Sequence, residues 1–535
     1  MNRFAQLPSV LALAFALALC SGCAAPRAAQ SDFVHMLSIA PNGDPAEVEI
    51  EDATRVWPNT HDDNVEQIAR AYYLWRAEDP KNHRRILFVI HGGLVAMPTS
   101  VAEARTLLAA MRKETKAVTY TRTDGSKSLD DIQQEPFFPI FVNWETGIGS
   151  SYADHLFKIR EGESNLVAAI PTSPFLFLAD FGRALTRLPI TYFRQLDQSR
   201  GYYFDNDVVQ PPSGWDGSAW IDKTASRTPK RDLVADAGLG LVPGALRIAT
   251  TPLLDGAGLP AFGNMRRRAR LLFVRDEDFD KAEPERTGGL SKLMEQLGGI
   301  KRRDVQLKQL VTELNTQVQA GGDGQDQAEA LLRNLRTMQN SPYIPEVTVI
   351  AHSMGAIVAN EMVRAYGWRE TVSGRRLFDF RDVVYMGAAC TLKEFADTML
   401  AYLKQNKETH FYNLCLHPDA EENDRYGWGV LPHGSLLEWI DTFITEQESE
   451  MDRTLGKWNN IMRALPIVDH LRPDVRARIV IRGFPRTGKL PTDHGHFNDT
   501  SQEFWKPTFW DFRIDPDCAN RWNEEQSIRQ SAGAE

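Results

Sequence analysis

The chain is poor in cysteine, with five among 535 residues. None stands at a zinc-type Cys/His spacing, so the sequence offers no metal site. A Gly-rich phosphate loop with its lysine is also missing, which removes the P-loop nucleotide chemistries. Positive charge is not in excess. The formal net charge is −10, whereas a phosphate-binding surface needs clustered Lys and Arg, so no nucleic-acid partner is expected. No apolar run makes a good spanning helix of ~20 residues, and no internal repeat or long low-complexity tract stands out. What is there is 42% hydrophobic and 25% charged residues, ample for a core. The length permits several domains of ~100–200 residues, or one large α/β domain with an insertion. No cofactor is implied, and the sequence does not fix the oligomeric state.

The N-terminus follows its own pattern. Arg3 is followed by the almost wholly apolar run Leu7–Leu19 and then by Cys20-Ser21-Gly22-Cys23-Ala24. A short apolar run ending in small residues reads as a secretory signal, here residues 1–22, too short to span a bilayer. The run into Cys23 resembles the lipobox of bacterial lipoproteins, with Cys20 where Leu is usual. The alternative is an ordinary signal cleaved near Ala25. The resemblance implies export, a lipid on Cys23 as the mature N-terminus, and attachment to a membrane surface. Ala24 in place of Asp resembles the pattern of outer-membrane delivery. Residues 23–46, mixed and Pro-containing, read as a tether. Of the remaining cysteines, Cys390 and Cys415 lie on or beside apolar strand-like runs and read as buried small hydrophobes. An oxidising compartment permits a bridge involving Cys518.

From residue 47 the chain alternates buried strands and helices. Arg85–Ile90 and Phe137–Asn143 are continuous apolar runs of strand length. Val65–Trp75 and Val101–Met111 carry helical spacing. The rhythm lapses over residues 152–343, which hold the apolar segments Leu166–Phe181 and Leu233–Leu254, a basic cluster at Arg266–Arg270, and a helical hairpin ending at Gln339. It resumes with the strand Glu346–Ala351, the helix Met354–Tyr366, and the strands Asp382–Met386, His410–Leu416 and Ala477–Ile481. Residues 47–151 and 344–535 thus form two parts of one α/β core with a mostly parallel sheet flanked by helices. Residues 152–343 are a cap or lid insertion. Its two apolar segments are expected to bury their side chains and to form a cap over the reactive centre.

The decisive segment is Val347-Thr348-Val349-Ile350-Ala351-His352-Ser353-Met354-Gly355-Ala356. A β-branched strand meets a Ser flanked by small residues two positions either side, and a helix starts at once. Such a turn lifts a hydroxyl out of the sheet, and the helix N-terminus favours developing negative charge. It resembles the nucleophile elbow of α/β-hydrolases, in the form usual among lipases and esterases, with Ala351 where Gly is commonest. That resemblance makes Ser353 the nucleophile and the N–H of Met354 an oxyanion donor. The turn His91-Gly92-Gly93 resembles the family's oxyanion loop, with Gly93 as second donor and Leu94 as alternative. The family order of Ser, acid, His sends the search toward the C-terminus. Thr492-Asp493-His494-Gly495-His496-Phe497 resembles its histidine end, giving His494 as base with His496 second. The loop His417–Asp424 supplies the acid, Asp419 before Asp424. The implied activity is hydrolysis of a small-molecule or lipid carboxylic ester. An acyltransferase would use the same residues, and a lipid-anchored envelope protein keeping the fold without catalysis is a third reading.

Overall fold

Eight short runs rich in β-branched and aromatic residues form the main sheet: β1 (Met36–Ile39), β2 (Arg85–Ile90), β3 (Phe137–Trp144), β4 (Ser218–Ile221), β5 (Glu346–His352), β6 (Asp379–Met386), β7 (His410–Cys415) and β8 (Ile479–Gly483). They lie in the order β1-β3-β2-β5-β6-β7-β8-β4, all parallel. The main helices are α1 (His61–Glu78), α2 (Met97–Glu114), α3 (Ile148–Phe157), α4 (Leu166–Tyr203), α5 (Gly289–Gly298), α6 (Ile300–Ala320), α7 (Gln325–Asn340), α8 (Gly355–Tyr366), α9 (Pro418–Asn423), α10 (Trp458–Val468) and α11 (Pro516–Ala532). Strands buried on both faces, with helices along them, are what a parallel sheet requires. This computed structural model describes residues between Arg27 and Ala532; the longest stretches outside them are 51–60, 115–135, 223–255, 369–375 and 425–433. Cys23 and the segment Leu233–Leu254 lie outside the described residues.

The chain divides into two compact units. The first comprises residues up to Ser150, Met265–Ile350 and Val358–Asp382. In it β3 pairs with both β1 and β2, while β5 follows β2 on the other side. The strand order therefore reverses at β2, a topological switch of the kind beside which ligands bind in open α/β sheets. Tyr73 on α1 is buried and donates to the Gln296 carbonyl of α5 at 2.6 Å. The expected hairpin is α6 and α7; α7 buries Ala328, Leu332, Leu335 and Met338 on one face.

The second unit comprises Ser151–Asn264, Ala351–Ile357 and Val383–Glu535. It holds β7, β8 and β4 in parallel register. β8 starts and ends two residues later than the apolar run suggests, because Arg482 is a strand residue. Its guanidinium is buried yet satisfied by the carbonyls of Thr508 (2.8 Å) and Phe509 (2.7 Å) and by Asp515 (3.0 Å). Cys390, Cys415 and Cys518 are buried free thiols.

Two strands come from stretches that carry no strand signal. β1 falls within residues 23–46, and β4 within 152–343. Each has only four residues, too few for a period to register. Helix α4 differs more sharply from expectation. Its inward stripe is Ala169, Ser173, Asp180 and Ala184, whereas Val167, Ile170, Phe175, Leu178, Phe181 and Leu185 are exposed. Small inward residues let α4 approach its neighbours closely, and the large side chains are left on the opposite side.

Candidate active site

Ser353 sits where β5 ends and α8 begins, with φ of 52°, a left-handed value that a non-Gly residue adopts only under constraint. The constraint is visible in its main chain. The Ser353 N–H donates to the Met386 carbonyl at 2.8 Å, and its carbonyl accepts from Ala389 N (3.0 Å) and Ala356 N (3.2 Å). The turn after β6 thus brackets the serine. Its hydroxyl is buried and bonds to none of the described residues. The N–H of Met354 likewise makes no hydrogen bond among the described residues. A donor at a helix N-terminus suits a developing oxyanion.

His494 is brought to the same place. Its imidazole packs on Gly387, the residue after the Met386 that holds Ser353. A Cβ on Gly387 would lie 2.8 Å from His494 Cε1 and 3.0 Å from Nδ1. Gly387 also has φ of 53°. Space and backbone both demand glycine there. The His352 ring lies 4.9 Å from that of His494, and His352 Nε2–H donates to the His494 carbonyl at 2.9 Å. That donation fixes the proton on Nε2 of His352, since a carbonyl only accepts. Neither ring nitrogen of His494 bonds to a described residue. Burial, together with His352, holds its imidazole well below the usual range, so it is neutral at pH 7. His496 lies apart from this arrangement: it is 52% exposed and its Nδ1 is 2.8 Å from Asp493.

The acidic loop separates the two candidate acids. Asp419 is engaged with Arg486 at 2.9 Å and stands 3.7 Å from His417 Nδ1; it does not bond the His494 ring. Its place in the first turn of α9, with its N–H capped by His417, turns it that way. Asp424, just past α9, accepts from the His494 N–H at 3.0 Å. Asp424 is held in turn, because its carbonyl receives the Gly434 N–H and Ser435 bonds both the main chain and carboxylate of Glu421 on α9.

The loop after β2 is rigid by construction. Leu94 has φ of 65°, and its N–H is spent on the Thr146 carbonyl at 3.1 Å. The Gly93 N–H bonds to no described residue. His91 Nε2 accepts from Trp144 N at 3.0 Å, so the proton is on Nδ1, which donates to the Gly92 carbonyl at 2.7 Å. Burial pushes this imidazole down to about 4, and the ring serves as a neutral brace. Thr146 Oγ1 bridges the carbonyls of Gly92 and Val95.

Sequence reasoning missed the roles of Gly387 and Gly456. Gly456 closes on the same turn, since a Cβ on it would lie 2.1 Å from Ala388 N. Gly387 carried a signal, a glycine directly after a buried strand; Gly456 carried none. Among the described residues, no group of three or more His, Cys, Asp or Glu side chains is arranged to hold a metal ion.

No curated protein and no solved structure matches the chain. Residues 323–414, from α7 through β5, Ser353 and α8 to β7, match a family model described as "Alpha/beta hydrolase of unknown function (DUF900)". With the parallel sheet flanked by helices, this match over residues 323–414 supports the α/β-hydrolase superfamily for the chain.

Proposed function

We propose that the chain is a serine hydrolase that cleaves a carboxylic ester through an acyl-enzyme on Ser353. The observation that carries this is the left-handed Ser353 held by the Met386–Ala389 turn on which the neutral His494 packs. A buried hydroxyl and a buried imidazole without partners are costly in a merely structural role. In the first step Ser353 Oγ attacks the carbonyl carbon and its proton passes to His494. The bond to the alcohol then breaks, and His494 returns the proton to the leaving oxygen. Water repeats the sequence, releasing the acid and restoring the serine. Asp424 accepts from the His494 main-chain N–H and so helps to seat the residue bearing the base, whereas Asp419 is engaged by Arg486; this favours Asp424 of the two candidate acids. The Met354 N–H serves the oxyanion. Of the two donors in the loop after β2, Gly93 is the better second, because the N–H of Leu94 is already spent. A fluorophosphonate probe tests this: the wild-type chain should label and Ser353→Ala should not. Equal labelling of the two would sink the assignment.

The N-terminal pattern supports a companion proposal, that Cys23 is lipidated and attaches the protein to an outer-membrane surface. Metabolic labelling with a fatty-acid analogue in a bacterial host should mark the wild-type chain and not Cys23→Ser; a labelled variant rules it out.

A further inference from the structure

His494 is gripped by its main chain and not by its ring. It opens the short helical turn His494–Asn498, a position whose N–H has no partner within the turn itself. Asp424 takes that N–H at 3.0 Å, and His352 Nε2–H reaches the His494 carbonyl at 2.9 Å. Neither ring nitrogen of His494 bonds to a described residue. The direction of the imidazole therefore follows from where these two contacts set its backbone, and from what the ring packs on. It packs on Gly387 and lies 4.9 Å from the His352 ring. The Phe497 ring stands 6.1 Å from that of His352.

His352 differs from the other neighbours of His494 in what it is joined to. It is the last residue of β5 and directly precedes Ser353. From nucleophile to base the path is one peptide bond, one side chain and one hydrogen bond. Ser353 is itself fixed, with φ of 52° and both main-chain groups bonded across to Met386 and Ala389. The His494 carbonyl cannot drift from the serine without breaking the bond to His352. Both histidines are buried, so the break would leave a donor and an acceptor without water to replace it. Proton transfer from the hydroxyl needs the base within about 2.6–3.2 Å, and a misplacement of ~1 Å can cost ~10²-fold in rate.

We infer that His352 is a positioning residue: its Nε2–H holds the His494 main chain where the imidazole can serve Ser353. The inference rests on the reading of Ser353 and His494 as nucleophile and base. The test measures kcat and KM for a model aryl ester, with fluorophosphonate labelling, in the full chain. His352→Leu fills the space without a donor; it should lower kcat by ~10²-fold and leave KM within a few-fold. His352→Gln, whose amide presents an N–H near the same point, should recover most of that loss. Because His352 acts through His494, adding His352→Leu to His494→Ala should change the residual kcat/KM by less than about 3-fold. A merely structural residue would cost as much in either background. Should His352→Leu not fold, His352→Asn replaces it with the same expectations, since its shorter amide does not reach the carbonyl. An unchanged kcat, equal losses with and without the glutamine, or a full further loss on top of His494→Ala overturns the inference. If the wild-type chain does not label, or Ser353→Ala hydrolyses as the wild type does, the reading of the site falls first and takes the inference with it.

Discussion

Two stretches of this chain are comparably apolar in sequence and opposite in structure. From Val347 to Tyr366 the large apolar side chains point into the core, among them Val349, Ile350, Met354, Ile357, Met362 and Tyr366. From Val167 to Leu185 they point out, and the inward positions belong to Ala, Ser and Asp. Hydrophobicity states that a side chain favours leaving water; it does not state what receives it. The small residues carry that information. Around Ser353 they make room for a strained turn and for an imidazole. In α4 they make room for a neighbouring helix, and the large side chains are left on the opposite face.

If this contrast is real, substitutions on the two sides should separate cleanly, first in catalysis. His494→Ala should lower kcat/KM for a model ester by ~10⁴-fold, while His496→Ala should leave it within a few-fold. The reverse ranking would transfer the base to the exposed residue. The pH profile sharpens the point. A base works in its neutral form, and burial lowers His494 below the usual 6.5. Activity should therefore persist as pH falls through 6.5 and decline only below it. Stability should separate next, by less. Ile350 is 0% exposed, and Ile350→Ala should cost about 2–5 kcal/mol in urea unfolding. Leu178→Ala, on the outward arc, should stay within about 0.5 kcal/mol. Comparable losses at the two positions would mean that the exposed face is covered in solution.

Much of the architecture could be read from the sequence, because parallel strands buried on both faces leave long uninterrupted signals. β2 was legible to the residue, and β5 and α8 to within one. β1 and β4 were not, since four residues of strand have no period to detect. Ser353 and His494 could be singled out from turn chemistry and chain order, and the geometry brings them to one turn. The two candidate acids could not be separated, since Asp419 and Asp424 differ only in which partner they meet. Arg486 and His417 take Asp419, and the His494 main chain meets Asp424. That choice depends on how α9 is anchored, through Glu421 and Ser435 fourteen residues apart, and no local pattern records it. The orientation of α4 was hidden for a different reason. Its spacing is helical either way round, and only the contacts of Ser173 and Asp180 show which side is in.

The glycine after β6 restricts which residues relatives of this chain can carry at that point. The His494 ring occupies the volume that any side chain at 387 would need. A relative that keeps the histidine must keep that position bare, whereas one that has lost it is released from the steric part of the restriction while the left-handed backbone still disfavours a bulky or β-branched side chain. A bulky residue at 387 beside an intact serine would therefore signal that the imidazole has left this turn.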